Sequence, residues 1–123
     1  MIIVDTNVWI DHFRSADTHL VELIETDKAF IHPYTIAEIG LASLANRSKV
    51  IEQLEMSWPV PVAAHQEVMA MIDLNKLAGT GVGYVDCHLL TAALLTGGQV
   101  WTRDKQLEMQ AGKLGIRRDP IRN

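Results

Sequence analysis

Residues 1–13 read M-I-I-V-D-T-N-V-W-I-D-H-F. Four apolar residues, Met1 to Val4, run unbroken into the polar cluster Asp5, Thr6 and Asn7, and apolar residues then return at helical spacing with Val8, Trp9 and Phe13. A short continuous apolar run that meets a polar break is the pattern of a strand covered on both faces. Such a strand followed at once by a helix is the first half of a βαβ unit, from which parallel sheets are built. Asp5 sits at the junction. Its carboxylate is either an N-cap for the backbone N–H groups of Asn7 or Val8, or the first member of a site.

The same alternation continues along the chain. Asp17 predicts the N-cap of a helix through Leu20, Leu23 and Ile24. Ala29–Ile31 predicts a second strand, and Pro33 begins a helix running to Ala45. Ser48 predicts the cap of a further helix with Val50, Ile51 and Leu54. Val60 and Val62, framed by Pro59 and Pro61, predict a weak third strand. His65–Asn75 is amphipathic, the loop L-A-G-T-G-V-G-Y follows, and Val85–Leu95 is a strongly apolar helix stopped by Gly97 and Gly98. Gln99–Thr102 predicts a fourth strand, Asp104 the start of a last helix through Leu107 and Leu114, and Ile116 an added edge strand. The pattern is α/β with a mainly parallel sheet of four to five strands, in one domain over residues 1–123.

With 123 residues, 48% of them apolar, the chain is long and apolar enough to build a core. The formal net charge of -4 does not favour general nucleic-acid affinity, but the charge is uneven. Residues 1–38 carry a local net of -5 and residues 103–123 a local net of +3, so an acidic half and a basic tail can face each other across a cleft. Cys87 is the only cysteine, which rules out a disulfide framework or zinc cluster within the chain and fits a reducing compartment. No apolar run approaches membrane-spanning length, and the N-terminus lacks a signal-peptide pattern, so a cytoplasmic protein is expected.

Ligands of open α/β sheets bind outside the carboxyl ends of the strands. Asp5 ends the first strand and Asp104 follows the fourth, so the two meet on one sheet edge if those strands are neighbours. Glu38, in the helix from Pro33, and Asp86, at the start of the apolar helix, can join them there. Each alone also reads as a cap or a solvated helix position. Together they form a set of hard oxygen donors with no His or Cys, which suits Mg²⁺ or Mn²⁺ rather than zinc. The reaction class natural to such a set is metal-assisted phosphodiester hydrolysis.

These residues carry a resemblance. D-T-N after an apolar strand, a Glu in a mid-chain helix, G-x-G-Y-V-D-x-H-L-L at 81–90 and V-W-T-R-D-K-x-L at 100–107 together resemble the PIN-domain ribonucleases, and most of all the VapC toxins of bacterial type II toxin–antitoxin modules. The resemblance implies a three-layer α/β/α fold and catalytic and metal-site roles for Asp5, Glu38, Asp86 and Asp104. It implies supporting hydrogen bonds from Thr6, Asn7 and Thr102. It further implies RNA as substrate, a homodimer, and a VapB-type antitoxin whose C-terminal segment blocks the cleft. Glu52 and Glu55 are the fallback candidates for the mid-chain Glu.

Arg103, Lys105 and the pair Arg117–Arg118 are candidate phosphate contacts. His88 and the other four histidines show no ligand spacing, and Trp9, Trp58 and Trp101 lie among apolar residues as core or interface. The glycine-rich loop has no Gly-Lys-Ser/Thr sequel and reads as a turn that brings Asp86 to the site. Two other functions compete. One is an RNA-processing nuclease of the same family without an antitoxin. The other, from a different class, is a receiver-like phospho-acceptor domain with Lys105 as its late lysine, against which stand the lack of an acid adjacent to Asp5 and the position of Asp104 beside the lysine.

Overall fold

A computed structural model describes residues 1–118. Eleven elements follow one another in these residues: β1 (Ile2–Val4), α1 (Thr6–Arg14), α2 (Thr18–Glu25), β2 (Ala29–Ile31), α3 (Pro33–Leu41), α4 (Arg47–Glu55), β3 (Trp58–Pro59), α5 (His65–Leu74), α6 (Tyr84–Thr96), β4 (Gln99–Trp101) and α7 (Lys105–Lys113). The strands pair in parallel in the order β3-β2-β1-β4. Ile2 and Ile3 lie opposite Ala29 and Phe30 on one side, and Ile2, Ile3 and Val4 lie opposite Gln99, Val100 and Trp101 on the other.

Alternation along the strands separates two helical layers. Ile3 and Val100 pack with Val68, Leu89, Leu90, Leu107 and Ala111, which come from α5, α6 and α7. Val4, Ala29 and Ile31 pack with Val8, Trp9, Leu20, Ile39 and Leu54, which come from α1 to α4. The result is a three-layer α/β/α arrangement. Helix α6 is buried continuously from Cys87 to Ala93, as expected for a helix that is apolar on most sides. It ends at Gly97, whose φ of 72° lies in the left-handed region that closes helices cheaply only for glycine.

Several boundaries differ from the sequence expectation. Helix α3 stops at Leu41 rather than Ala45, and the Arg47 side chain supplies the donor for its exposed Gly40 carbonyl at 2.6 Å. The cap of α4 is Asn46, in the left-handed conformation that Asn tolerates, and not Ser48. Strand β3 covers Trp58 and Pro59, ahead of the Val60 and Val62 pair, with Val60 N–H still donating to the Ile31 carbonyl. It is an edge strand, where a proline costs no ladder bond. The edge strand expected at Ile116 is a single parallel bridge between Val100 and Arg117. Arg122, the last basic residue of the tail, lies outside the described residues.

The strand order locates the functional edge. The chain steps outward from β1 to β2 to β3, then returns across the sheet to place β4 on the far side of β1. The direction of winding therefore reverses between β1 and β4, and a crevice opens outside their carboxyl ends.

Candidate metal centre

Asp5 leaves β1 at that crevice, and its N–H donates to the Trp101 carbonyl at 2.9 Å, extending the β1–β4 ladder by one residue. The side chain is buried, at 5% exposure. Oδ1 accepts from the Thr6 backbone N–H at 2.8 Å. Oδ2 accepts from the Thr102 hydroxyl at 2.7 Å and from the Asn7 amide at 3.3 Å. Asp17 and Asp104 cap their helices in the ordinary way, each accepting from the second and third helical N–H groups. Asp5 instead reaches only the first helical N–H and turns its other oxygen across to β4. It flanks α1 in the cap position without doing most of a cap's work.

Burial pushes the Asp5 carboxyl up to about 6, against the bonds from Thr102 and Thr6, and the charges of Asp86 and Glu38 push it the same way. Asp86 is also raised, first by burial and then by Asp104 and Glu38, with the Gly83 N–H opposing. The four acids thus share one field, delivered by four different elements.

Three of them are held alike. Glu38 Oε1 accepts from the Thr6 hydroxyl at 2.6 Å, Asp86 Oδ2 accepts from the Gly83 N–H at 3.0 Å, and Asp104 Oδ1 accepts from Gln106 and Leu107 at 2.9 and 3.0 Å. Among the described residues no donor reaches the second oxygen of any of the three. Each carboxylate is anchored by one oxygen and presents the other. Glu52 and Glu55 lie on α4 and make no such contact with Thr6, Asp5 or Asp86. The Thr102 hydroxyl also accepts from the Asp104 N–H at 3.0 Å and from the Asn7 amide at 3.3 Å, while Asn7 Oδ1 accepts from the Arg103 N–H at 3.0 Å. Thr6, Asn7 and Thr102 therefore tie β1, α1, α3 and the turn after β4 into one network.

The oxygen-only donor set fits a hard divalent cation, and like charges crowded beside a buried carboxylate are relieved by one. Among the described residues no three His, Cys, Asp or Glu side chains converge tightly enough to enclose an ion as they stand. A cation there would complete its shell with water and phosphate oxygens, as Mg²⁺ usually does.

The candidate phosphate contacts behave differently from one another. The Arg103 guanidinium is engaged by Asp11 at 2.5 Å and Asp17 at 2.6 Å, bridging α1 to the start of α2, and it lies near the Trp101 ring. Lys105 is exposed and makes no ion pair among the described residues. Arg118 stacks over the Trp101 ring at 4.2 Å, and burial lowers its pKa, opposed by Asp17 and Glu22. Trp9 is buried and Trp101 half-buried, whereas Trp58 is exposed at the sheet edge and donates to Asp27 at 3.1 Å. Sequence reasoning missed the Asp11–Arg103–Asp17 bridge, because nothing local marks a pairing across the chain.

The family model described as PIN domain matches residues 2–113. The chain is 43% identical over 117 residues to Ribonuclease VapC32 of Mycobacterium tuberculosis, in two strains, covering 94% of each protein. The crystal structure of PAE2754 from Pyrobaculum aerophilum superposes with a TM-score of 0.66 at 20% identity, over 89% of this chain and 83% of that one. FitAB bound to an IR36 DNA fragment superposes with a TM-score of 0.60 at 18% identity, over 91% of each chain. At those identities the two structures speak to the fold. No helix among the described residues is long and apolar enough to cross a membrane.

Proposed function

The chain belongs to the PIN-domain family, among its VapC-type ribonucleases, and from that premise we propose that it is a divalent-metal-dependent endoribonuclease and the toxin of a type II toxin–antitoxin module. Its whole length, 1–123, acts as one PIN-like domain in the cytoplasm, as a homodimer, held inactive by a VapB-type antitoxin. PIN-domain ribonucleases depend in general on a divalent metal, and Mg²⁺, with Mn²⁺ as a substitute, is the ion this oxygen set favours.

The observation that carries the reading is the set of acids at the β1–β4 crevice, three of them tethered by one oxygen and open at the other. Asp5 and Asp86 would hold the ion, with Glu38 and Asp104 completing the site directly or through water. When bound, a divalent cation would supply an activated water and charge stabilisation for the phosphate and the departing 3′ oxygen. Thr102, Thr6 and Asn7 fix Asp5, so that the site does not reorganise as charge develops. Glu38, on the open side and anchored by Thr6, presents Oε2 to take the proton of the attacking water. Lys105, exposed at the start of α7, is free among the described residues to meet a phosphate of the strand, whereas the Arg103 guanidinium is already taken up by Asp11 and Asp17. The products carry 5′-phosphate and 3′-hydroxyl ends.

The purified protein should cleave a structured RNA with Mg²⁺ or Mn²⁺ and stop in EDTA. Asp5→Asn and Asp86→Asn should each abolish cleavage while keeping the fold. Cleavage unchanged by EDTA or by both substitutions would overturn the reading.

A further inference from the structure

Tyr34 and Tyr84 are the two tyrosines of the chain, and neither is part of the core. They are 37% and 44% exposed. Both nevertheless pack edge-on against one buried ring. His88, 1% exposed, lies 4.7 Å from each of them, at 71° and 85°. The Tyr84 hydroxyl is also 2.7 Å from His65 Nδ1, and the Tyr34 backbone N–H donates to buried His32 at 3.0 Å. Two exposed aromatic rings are thus fixed from beneath.

Their position matters as much as their rigidity. Tyr34 precedes Glu38 by one turn of α3 and so shares its face. Tyr84 is the first residue of α6, two before Asp86. Tyr84 lies with His88 on the other side of α6 from Asp86, so the two rings stand at the N-terminal ends of α3 and α6, the helices from which Glu38 and Asp86 reach the crevice. A fixed aromatic ring offers contact area at little entropic cost, and every nucleobase can stack on one.

We propose that Tyr34 and Tyr84 form a stacking subsite that holds an unpaired base of the RNA strand beside the phosphate to be cut. The proposal rests on the reading of the crevice as a ribonuclease site. The subsite requires a base but does not read which base it is, so it selects single-stranded segments and leaves sequence preference to other contacts.

The test uses a labelled single-stranded oligoribonucleotide whose cleavage position is first mapped with the wild-type protein, and the same oligonucleotide with abasic sites flanking that position. Tyr34→Ala and Tyr84→Ala should each raise KM for the intact strand by about 5- to 150-fold. Tyr34→Phe and Tyr84→Phe, which keep the ring, should stay near wild type. The abasic strand should raise the wild-type KM by a similar factor and leave the alanine variants little changed. Alanine variants that melt like wild type and keep its KM on both strands would overturn the subsite alone. If an alanine variant does not fold, a wild-type KM that is the same on both strands overturns it equally. Absence of cleavage by the wild type in Mg²⁺ and Mn²⁺ would overturn the ribonuclease reading and the subsite with it.

Discussion

The Thr102 hydroxyl donates to Asp5 Oδ2 at 2.7 Å, joining the residues that immediately follow two neighbouring strands. Because the same oxygen accepts the Asp104 N–H, one hydroxyl orients two of the four acids. Thr102→Val keeps the shape and removes both bonds, together with the one the hydroxyl accepts from the Asn7 amide. We expect it to weaken metal-supported cleavage by about 10- to 100-fold, the usual cost of losing a partner that orients a ligand. Thr102→Ser should restore most of the loss. The measurement is cleavage rate against Mg²⁺ concentration, and a Val variant with the wild-type curve would contradict the role.

Asp5 and His32 impose opposite pH dependences on the metal-free protein. Asp5 has a folded pKa raised from 3.8 to about 6, so its stabilising difference is present below pH 3.8 and is lost as pH rises toward 6. Burial and the neighbouring His88 lower His32 from 6.5 to about 4, so its contribution is present above 6.5 and is lost as pH falls toward 4. Each is worth about 3 kcal/mol, and between pH 4 and 6 they offset one another. Asp5→Asn removes one arm. The variant should be more stable than wild type by about 2–3 kcal/mol at pH 7.5 and should lose stability more steeply on acidification to pH 4.5. Denaturant titrations at the two pH values check both signs.

Mg²⁺ should act on the same carboxylate. Binding only the folded state raises stability by mass action. Thermal melts should therefore rise with Mg²⁺ at pH 7.5, rise less at pH 5, where Asp5 holds a proton, and not rise in Asp5→Asn. An equal rise in all three would place the ion elsewhere.

Much of this was legible in residues 1–7 and 99–107, because a buried strand that ends in an acid declares both its layer and its edge. Trp101 and Val4 pair as the alternation requires, and Asp17 and Asp104 cap the helices that they precede. The spatial order of the strands was not legible, since nothing local states that β4 lies beside β1. The early end of α3 was hidden too, because it depends on a side chain from the next helix. Tyr34 and Tyr84 carried no signal, since exposure of an aromatic ring is a property of the fold and not of its neighbours in sequence.

Glu38 is separated from other helical acids by its bond to Thr6. Glu38→Gln retains an oxygen to accept that bond and removes the charge and the proton acceptor. Cleavage should fall by about 10²- to 10⁴-fold with little change in melting temperature. Glu52→Gln and Glu55→Gln, on α4, should cleave like wild type. A Glu38→Gln variant of full activity, or a Glu52→Gln variant without any, would move the role away from this residue.

Arg103 tests how much the bridge beside the site contributes. It pairs with Asp11 and with Asp17, but Arg103 and Asp11 are well exposed, and exposed pairs are worth about 1 kcal/mol or less. Asp17 has two tasks on two oxygens: Oδ1 caps α2 through His19 and Leu20, and Oδ2 meets Arg103. Burial alone would raise its carboxyl, but the Leu20 N–H, the Arg103 guanidinium and the His19 N–H together hold it below its ordinary value. Asp17→Asn keeps the cap oxygen and loses the charge, whereas Asp17→Ala loses both. The alanine variant should be less stable than the asparagine variant by about 1 kcal/mol, the worth of a cap. Raising salt should shrink the gap between wild type and Asp17→Asn while leaving the gap between Asn and Ala in place. In Arg103→Ala, the Asn and Ala substitutions at 17 should differ by the same amount as before. A difference that vanishes there would show that the cap depends on the ion pair.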